Sequence, residues 1–519
     1  MKKIFLDLND QFQHALSRME DTSRSLFITG KAGTGKSTLL SHFCASTAKK
    51  PVVLAPTGVA ALNVKGQTIH KFFHFYIDVT PDKIRKKQTK PRNLKLYKNL
   101  KTIIIDEVSM VRADLLDCID VFLRMYGPDA VEPFGGVQMI FVGDLYQLPP
   151  VVTGPEKEIF TTHYKTPYFF SAHALRDAEP EIIELEKVYR QKDQTFVNLL
   201  NRIRNNSVEE ADMDHLNQRF QPNYAPSSVK EFYISLTTTN QKADDINASH
   251  LSALKGKLHD SSARISGDFG KEYYPTATEL KFKVGAQVML VSNDQDRRWV
   301  NGSIGVIEAF KMDEEEETYL EVRLQDDKEL VTVYPFTWEV YTFALEGGMI
   351  VSEPVGTFTQ FPFRLAWAVT IHKSQGKTFD RVIIDIDRGT FVAGQMYVAL
   401  SRCTSFEGIV LKTRIQKNHI RTDFRIFDFL TGYQYRKSET DLSLDGKMVL
   451  IRQAIKEKAK LNMTYLKAND TKSERIVIPI TVGKETYQGK EFPGMKAFCT
   501  KRKEERMFRV DRILKVNRI

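Results

Sequence analysis

Gly30-Lys31-Ala32-Gly33-Thr34-Gly35-Lys36-Ser37 constrains this chain more than any other stretch of it. It follows the apolar run Leu26-Phe27-Ile28 and leads into Thr38-Leu39-Leu40, which has helical character. A G-x-x-x-x-G-K-[ST] run between a strand and a helix is a phosphate-binding loop. Its glycines let backbone N–H groups close around phosphate oxygens, and the helix N-terminus adds its dipole. Lys36 supplies a point charge to the β- and γ-phosphates, and the Ser37 hydroxyl suits Mg²⁺. Gly30, Ala32, Gly33, Thr34, Gly35, Lys36, Ser37 and Thr38 are therefore expected to hold ATP with Mg²⁺.

Such a loop needs a parallel sheet behind it, and the sequence supplies one. Ser25–Thr29, Val52–Ala55, Thr102–Ile105 and Gln138–Gly143 are short apolar runs separated by longer stretches of helical spacing. That alternation predicts an α/β domain over 1–185. Phe232–Thr237, Arg381–Ile386 and Gly408–Leu411 repeat the pattern, predicting a second such domain over 186–432. From about Leu280 to Val355 the texture changes to short alternating strands with turn signals such as Asn301-Gly302, which reads as a small β-barrel insertion. Tyr433–Gly446 is polar with little periodicity and reads as a linker, leaving 447–519 as a separate domain.

Charge is unevenly spread. The whole chain carries a net +10, yet residues 447–519 hold 19 Lys+Arg against 8 Asp+Glu, so 1–446 are close to neutral. Asp82–Lys101 is a second basic block, with nine cations and one acid. Both blocks fit a polyanion, although basic tails are often simply solvated. No apolar run approaches the ~20 residues of a membrane span, and Met1–Asp10 lacks a signal-peptide core. Cys44, Cys118, Cys403 and Cys499 are scattered, which fits a reducing, cytoplasmic compartment and excludes a zinc ribbon.

Ile103-Ile104-Ile105-Asp106-Glu107 is an apolar strand ending in two acids. With a phosphate loop upstream, Asp106 is expected to hold the metal and Glu107 to polarise the attacking water. Taken alone, the pair could equally cap a following helix. Phe141-Val142-Gly143-Asp144-Leu145-Tyr146-Gln147-Leu148-Pro149-Pro150 takes another strand into a turn. The Gln147 amide there can meet the γ-phosphate or the water, or the stretch is an ordinary strand exit.

Ala55-Pro56-Thr57-Gly58-Val59-Ala60-Ala61, Thr68-Ile69-His70, the Asp-Glu-Val-Ser-Met run from Asp106, Gly-Asp-x-x-Gln-Leu-Pro-Pro from Gly143, Ala368-Val369-Thr370-Ile371-His372-Lys373-Ser374-Gln375-Gly376 and Tyr397-Val398-Ala399-Leu400-Ser401-Arg402 accumulate over residues 5–415. Together they resemble the Pif-type DNA helicases of superfamily one, beside RecD and Dda. The resemblance implies two RecA-like domains with ATP between them, 5′-to-3′ travel on single-stranded DNA, and work in DNA repair and telomere maintenance. Arg190, in Val188-Tyr189-Arg190-Gln191, and Arg402 would reach the γ-phosphate from the second domain, and Gln375 and Gly376 would join the nucleotide. Thr57, His70 and Lys71 on the first domain, and Thr239, Asn240, Thr370, His372 and Lys373 on the second, would follow the DNA backbone. Phe72 and Phe73 either stack a base or pack in a core. The segment 74–101 falls where the family inserts a wedge-like element, here either a strand separator or a solvated loop. In place of the adenine-reading Gln of many relatives stands Phe12, flanked by Gln11 and Gln13.

Residues 447–519 resemble a WYL-type domain, an α+β fold built on an Sm-like barrel, although the Trp-Tyr-Leu tripeptide itself is absent and Pro493-Gly494-Met495 stands in its region. The resemblance makes Arg506, Arg509 and Arg512 candidates for single-stranded DNA. An anionic nucleotide or a partner protein are alternative ligands. Expected partners of the whole chain are single-stranded and duplex-junction DNA, with G-quadruplexes and RNA–DNA hybrids as further substrates, for a monomer that can dimerise on DNA. A DNA-stimulated ATPase that remodels without processive unwinding, and a RecD-like subunit of a nuclease complex, are the competing readings.

Overall fold

The computed structural model describes residues 9–519 apart from 77, 153–156, 227–230, 297, 326–328, 347–348, 388, 468–471 and 488. They form two compact units, one of residues up to Arg204 together with Val208–Arg421, the other of Asn205–Ser207 and Thr422–Ile519.

The first unit opens with six strands: β1 (Leu26–Gly30), β2 (Val52–Ala55), β3 (Gln67–Thr68), β4 (Thr102–Ile105), β5 (Gln138–Gly143) and β6 (Glu181–Leu185). Their order is β3-β2-β4-β5-β1-β6, and every pairing is parallel. Central strands are buried on both faces, which is why they read as unbroken apolar runs. Leu26, Ile28, Ile104, Ile140 and Val142 share one core with Phe12, Leu39, Leu40 and Phe43 of the covering helices.

β7 (Ile234–Thr237) begins a second sheet and is interrupted by an excursion. That excursion runs through β8 (His259–Ser262), β9 (Arg264–Gly267), β10 (Glu279–Phe282), β11 (Gln287–Leu290), β12 (Ile304–Met312), β13 (Thr318–Leu324), β14 (Leu330–Val333), β15 (Phe336–Glu346), β16 (Met349–Gln360) and β17 (Phe363–Leu365). It is wider than the expected 280–355, because β8 and β9 are polar and half-exposed or exposed and carry no apolar alternation. A five-stranded sheet, β14-β13-β12-β11-β17, surrounds Phe282, Val288, Leu290, Ile307, Val322 and Phe363. The hairpin β15–β16 leaves it with β9 as a third strand. The second sheet then resumes as β18 (Ala368–Thr370), β19 (Val382–Asp385) and β20 (Ile409–Leu411), in the parallel order β18-β7-β19-β20.

In the second unit, β21 (Leu461–Leu466), β22 (Lys472–Tyr487), β23 (Lys490–Cys499), β24 (Glu504–Arg509) and β25 (Ile513–Arg518) make an antiparallel sheet ordered β24-β23-β22-β21-β25. Irregularities at Pro479/Thr481 and Thr464/Tyr465 bend it around a core of Ile451, Leu461, Met463, Val477, Met495, Phe508 and Val516. The expected linker over 433–446 is corrected here. Phe424–Asp441 is one helix and Leu444–Lys456 the next, capped by Ser443. Ser438 is buried and donates to the Ile513 and Leu514 carbonyls, while Lys447 Nζ donates to Ser438 Oγ at 2.7 Å. A polar residue carries this packing, so no apolar stripe marks the helix.

Candidate nucleotide cleft and nucleic-acid interface

β1 ends at Gly30, and the helix Lys36–Ser46 begins behind Gly35. The loop between them is pressed by a segment of the following domain. Tyr189 N donates to Gly33 O at 2.8 Å, and a Cβ on Gly33 (φ +80°) would lie 2.5 Å from Arg190 Cβ. Only glycine fits there. Lys36 Nζ donates to the Gly30 and Lys31 carbonyls at 2.8 and 3.1 Å. Burial holds this ammonium below its usual pKa, against the pull of Asp144 and Glu107. Thr34 is buried with its hydroxyl on Lys31 O, whereas Ser37 and Thr38 are exposed at the helix start. Ala32 N donates to the Tyr397 hydroxyl at 3.0 Å.

Asp106 and Glu107 follow β4. Burial raises the Asp106 carboxyl, countered by the Glu107 N–H and by Lys36. Burial, and then Asp106 beside it, push Glu107 up to about 7. Glu107 sits in left-handed backbone (φ 50°), a conformation that costs a non-glycine residue ~1 kcal/mol or more. Gln375 Nε2, from the turn after β18, donates to Glu107 Oε2 at 3.0 Å. Gly376 follows at φ +78° with no heavy atom within 4 Å of a built Cβ. After β5, Gln147 is buried and its Nε2 donates to Asp144 Oδ2 at 3.2 Å.

Both candidate arginines lie beside this cluster. Arg190 Nη1 donates to Ser401 O at 3.1 Å. Arg402 is 1% exposed and donates to Val398 O, Lys377 O and Ser401 Oγ. Burial and the neighbouring Arg190 push Arg402 down to about 9. Sequence reasoning missed Asp144, Arg204, Tyr189 and Tyr397 as site residues. Arg204 alone had a readable signal: it continues the apolar face Phe196, Leu199, Leu200, Ile203 of the helix Gln194–Arg204, where a cation is out of place.

Phe12 is buried in the core and packs beside Gly35, and Gln11 Oε1 accepts from Glu186 N. Phe12 therefore has no amide to offer a base, and the Gln11 carbonyl oxygen is already engaged by the backbone. The exposed Tyr189 ring lies beside the same loop, its hydroxyl accepting from Asn9 Nδ2.

The candidate DNA residues gather at carboxyl ends of neighbouring parallel strands, where ligands of open α/β sheets bind. Thr57 follows β2 and caps the helix Gly58–Asn63; His70 and Lys71 follow β3 on the helix Ile69–Phe73. Thr239 and Asn240 follow β7, with Thr239 capping the helix Asn240–Ala253. Thr370 closes β18 opposite Thr237, and the exposed His372 and Lys373 come next. Lys71 Nζ reaches Asp268 Oδ2 at 3.1 Å.

Phe72 is a correction. It is 3% exposed and packs edge-on against Phe73 and Phe343 and beside Tyr97, so it is unavailable to stack a base. The segment 74–101 contributes the short helices Pro81–Arg85 and Leu94–Lys98, with Ile84, Leu96 and Tyr97 turned inward. The Tyr97 hydroxyl donates to Phe72 O, and Lys83 and Arg85 pair with Asp78 and Asp82.

In the second unit, Arg509 is held by Asp511 and lies over the Phe492 ring, Arg506 faces Glu504 at 3.5 Å, and Arg512 ends the turn Val510–Arg512. A different cationic group stands out. Arg475 is 9% exposed, and its Nη1 has no hydrogen-bond partner among the described residues. Burial, then Arg475, Arg502, Lys501 and Arg506, depress the Lys467 ammonium. Among the described residues no helix is long and apolar enough to cross a membrane, and no three His, Cys, Asp or Glu side chains gather as a metal site.

A phosphate loop, a strand-end acid pair and a second parallel sheet bordering the same cleft define a two-domain P-loop nucleotide-binding protein. The comparisons narrow this. Residues 8–214 match the PIF1-like helicase model and 447–518 the WYL domain model. The ATP-dependent DNA helicase PIF1 of Homo sapiens is 35% identical over 445 residues, covering 84% of this chain and 65% of that protein. The ATP-dependent DNA helicase Pif1 of Campylobacter jejuni is 30% identical over 401 residues, covering 73% and 87%. The crystal structure of Bacteroides sp Pif1 with ADP-AlF4 superposes at TM-score 0.76, with 36% identity over 83% of this chain and 97% of that one. Bacteroides Pif1 bound to ssDNA, at the same identity and coverage, gives 0.59. The chain belongs to the PIF1-like helicases and carries a WYL domain at its C-terminal end. It spans about two thirds of the length of the mammalian relatives, 64% for that of Mus musculus.

Proposed function

We propose that this chain is an ATP-dependent DNA helicase that moves 5′-to-3′ along a single strand and separates duplex ahead of it. The observation that carries this is the Gln375–Glu107 hydrogen bond, which ties an acid beside the phosphate loop to the turn that also presents His372 and Lys373. Chemistry at one end of that turn is coupled to grip at the other. The loop amides and Lys36 bind the phosphates. Glu107 accepts a proton from the water that attacks the γ-phosphorus, ADP departs, and Arg190 and Arg402 offset charge on the transferred group. Lys36 and Arg402 are now held by carbonyls, so both must turn to reach a phosphate. The exposed Ser37 hydroxyl and the Asp106 carboxylate are hard oxygen donors that fit Mg²⁺, which would neutralise phosphate charge when bound. Tyr189 offers its ring to the base, a sequence-tolerant contact that supports loose base selection.

Thr57, His70 and Lys71 hold the strand on one domain, and Thr239, Asn240, Thr370, His372 and Lys373 on the other, through phosphates rather than bases. Segment 74–101 meets the duplex junction. Relatives support this reading: Bacteroides Pif1 has been solved with ssDNA, and another structure is described as two coordinating Pif1 helicases at forked dsDNA. A monomer that pairs on forked DNA, with G-quadruplexes and RNA–DNA hybrids as further substrates, follows from the same reading. Four free thiols support a reducing, cytoplasmic setting.

The test is strand separation with Mg-ATP on duplexes carrying a 5′ or a 3′ single-stranded tail, beside Lys36→Ala. Unwinding of the 5′-tailed duplex alone, lost in the variant, is expected. DNA-stimulated ATP hydrolysis without separation of either duplex would replace the helicase by a remodelling ATPase.

The WYL domain holds single-stranded DNA through the exposed Lys467, Lys501, Arg502 and Arg506. Lys467→Glu with Arg502→Glu in the full chain is expected to weaken oligothymidine binding and flatten its salt dependence, while DNA-free ATP hydrolysis is unchanged. Equal affinity and equal salt slope in variant and parent would remove this domain from the DNA path.

A further inference from the structure

Asp144 is 1% exposed, and four groups meet its carboxylate. Two come from its own loop: Tyr146 N donates to Oδ1 at 3.1 Å and Gln147 Nε2 to Oδ2 at 3.2 Å. Two come from beyond the first sheet: Arg204 Nη2 stands 3.4 Å from Oδ1, and the Tyr397 hydroxyl 3.5 Å from Oδ2. The guanidinium carbon of Arg204 lies 3.8 Å above the centre of the Tyr146 ring, so the cation is fixed by stacking as well as by charge.

The helix that ends in Arg204 packs on the helix Gln395–Ser401, which carries Tyr397. Just before it, Arg190 and Gln191 donate to Ser401 O, and Gln191 also to Cys403 O. Arg204 is therefore anchored on elements of the second domain while its charge is spent on the first. A Cβ on Gly394 (φ +76°) would fall 2.3 Å from Gln147 O, so the same helix start also abuts the Gln147 backbone.

We propose that Arg204 is a positioning residue for ATP hydrolysis: by fixing Asp144 it sets the orientation of the Gln147 amide when the two domains are together. An ionised carboxylate only accepts hydrogen bonds, so an amide beside it must present its NH₂. Gln147 is then held with Nε2 toward Asp144, leaving Oε1 and the second N–H for the nucleotide and its water. Without Arg204, a carboxylate buried this deeply loses its countercharge and turns away, and the amide loses its fixed flip. The inference rests on the reading of Gln147 as the group that meets the γ-phosphate.

Steady-state ATP hydrolysis with saturating oligothymidine tests it, using Arg204→Met, Arg204→Lys, Asp144→Asn, Gln147→Ala and the Arg204→Met/Gln147→Ala double variant, with a thermal melt and a fluorescent-ADP titration for each. Misplaced reacting groups cost about a hundredfold. Arg204→Met is expected to lower kcat on that scale with KM and ADP affinity unchanged, and Arg204→Lys to recover part of it. The double variant is expected to be no worse than Gln147→Ala, since both changes remove one unit. Asp144→Asn, nearly isosteric, gives the same kcat loss should the methionine variant fold poorly. Effects that multiply in the double variant, or a kcat loss matching the fall in folded fraction, would reduce Arg204–Asp144 to a structural ion pair. Normal kcat in Arg204→Met with a slow Gln147→Ala would sink the positioning role alone. Normal kcat in Gln147→Ala would sink the role and the reading beneath it.

Discussion

Glu107→Gln is expected to lower DNA-stimulated ATP turnover by about three orders of magnitude while ATP binding survives. The substitution keeps the shape of the side chain and the left-handed backbone beneath it, and Gln375 can still donate to the new amide oxygen. Only the proton acceptor is lost. Rapid-quench hydrolysis beside equilibrium ATP binding separates the two effects. Turnover within tenfold of the parent would transfer the base role to another group. Loss of binding would make Glu107 a structural acid. A converse expectation concerns the neighbouring Asp106: on the proposed reading that this carboxylate holds Mg²⁺, Asp106→Asn should weaken Mg-ATP binding as well as turnover.

Phe72→Ala is expected to cost about 3–5 kcal/mol of stability, the usual range for removing a buried aromatic. Phe72 joins Phe73, Tyr97 and Phe343, and Phe73, Phe75, Tyr97 and Phe122 continue the cluster edge-on and stacked. Phe343 comes from the hairpin β15–β16, so the cluster also fastens the excursion of the second domain to the first. A lower melting temperature, with oligothymidine affinity per folded molecule unchanged, is the signature of a core residue. Unchanged melting with weakened DNA affinity would restore the base-stacking role.

These cases show where sequence was legible. The phosphate loop and the strand-end acids could be read because their chemistry is local, with strand, turn and helix adjacent in the chain. Phe72 could not, because its decisive partner Phe343 is 271 positions away and an apolar pair looks alike in a core and on a base platform. Helix Phe424–Asp441 was hidden because only Ile426 and Ser438 are buried, too little for a helical stripe. The excursion was placed but drawn short, since β8 and β9 pair through backbone with few apolar side chains to announce them. Arg204 lay between these extremes: its misplaced charge was visible, its partner Asp144 was not.

The hydrogen bond from Ala32 N to the Tyr397 hydroxyl has a kinetic consequence. On the reading proposed for the phosphate loop, a phosphate oxygen claiming that amide trades places with a phenol already seated there. Entry and departure of nucleotide are then substitutions at a common donor, with one acceptor handing over to the other and no buried N–H stranded between them. Since Tyr397 stands on the helix Gln395–Ser401, beyond the first sheet, each such exchange would also release or restore one contact between the two parallel-sheet domains.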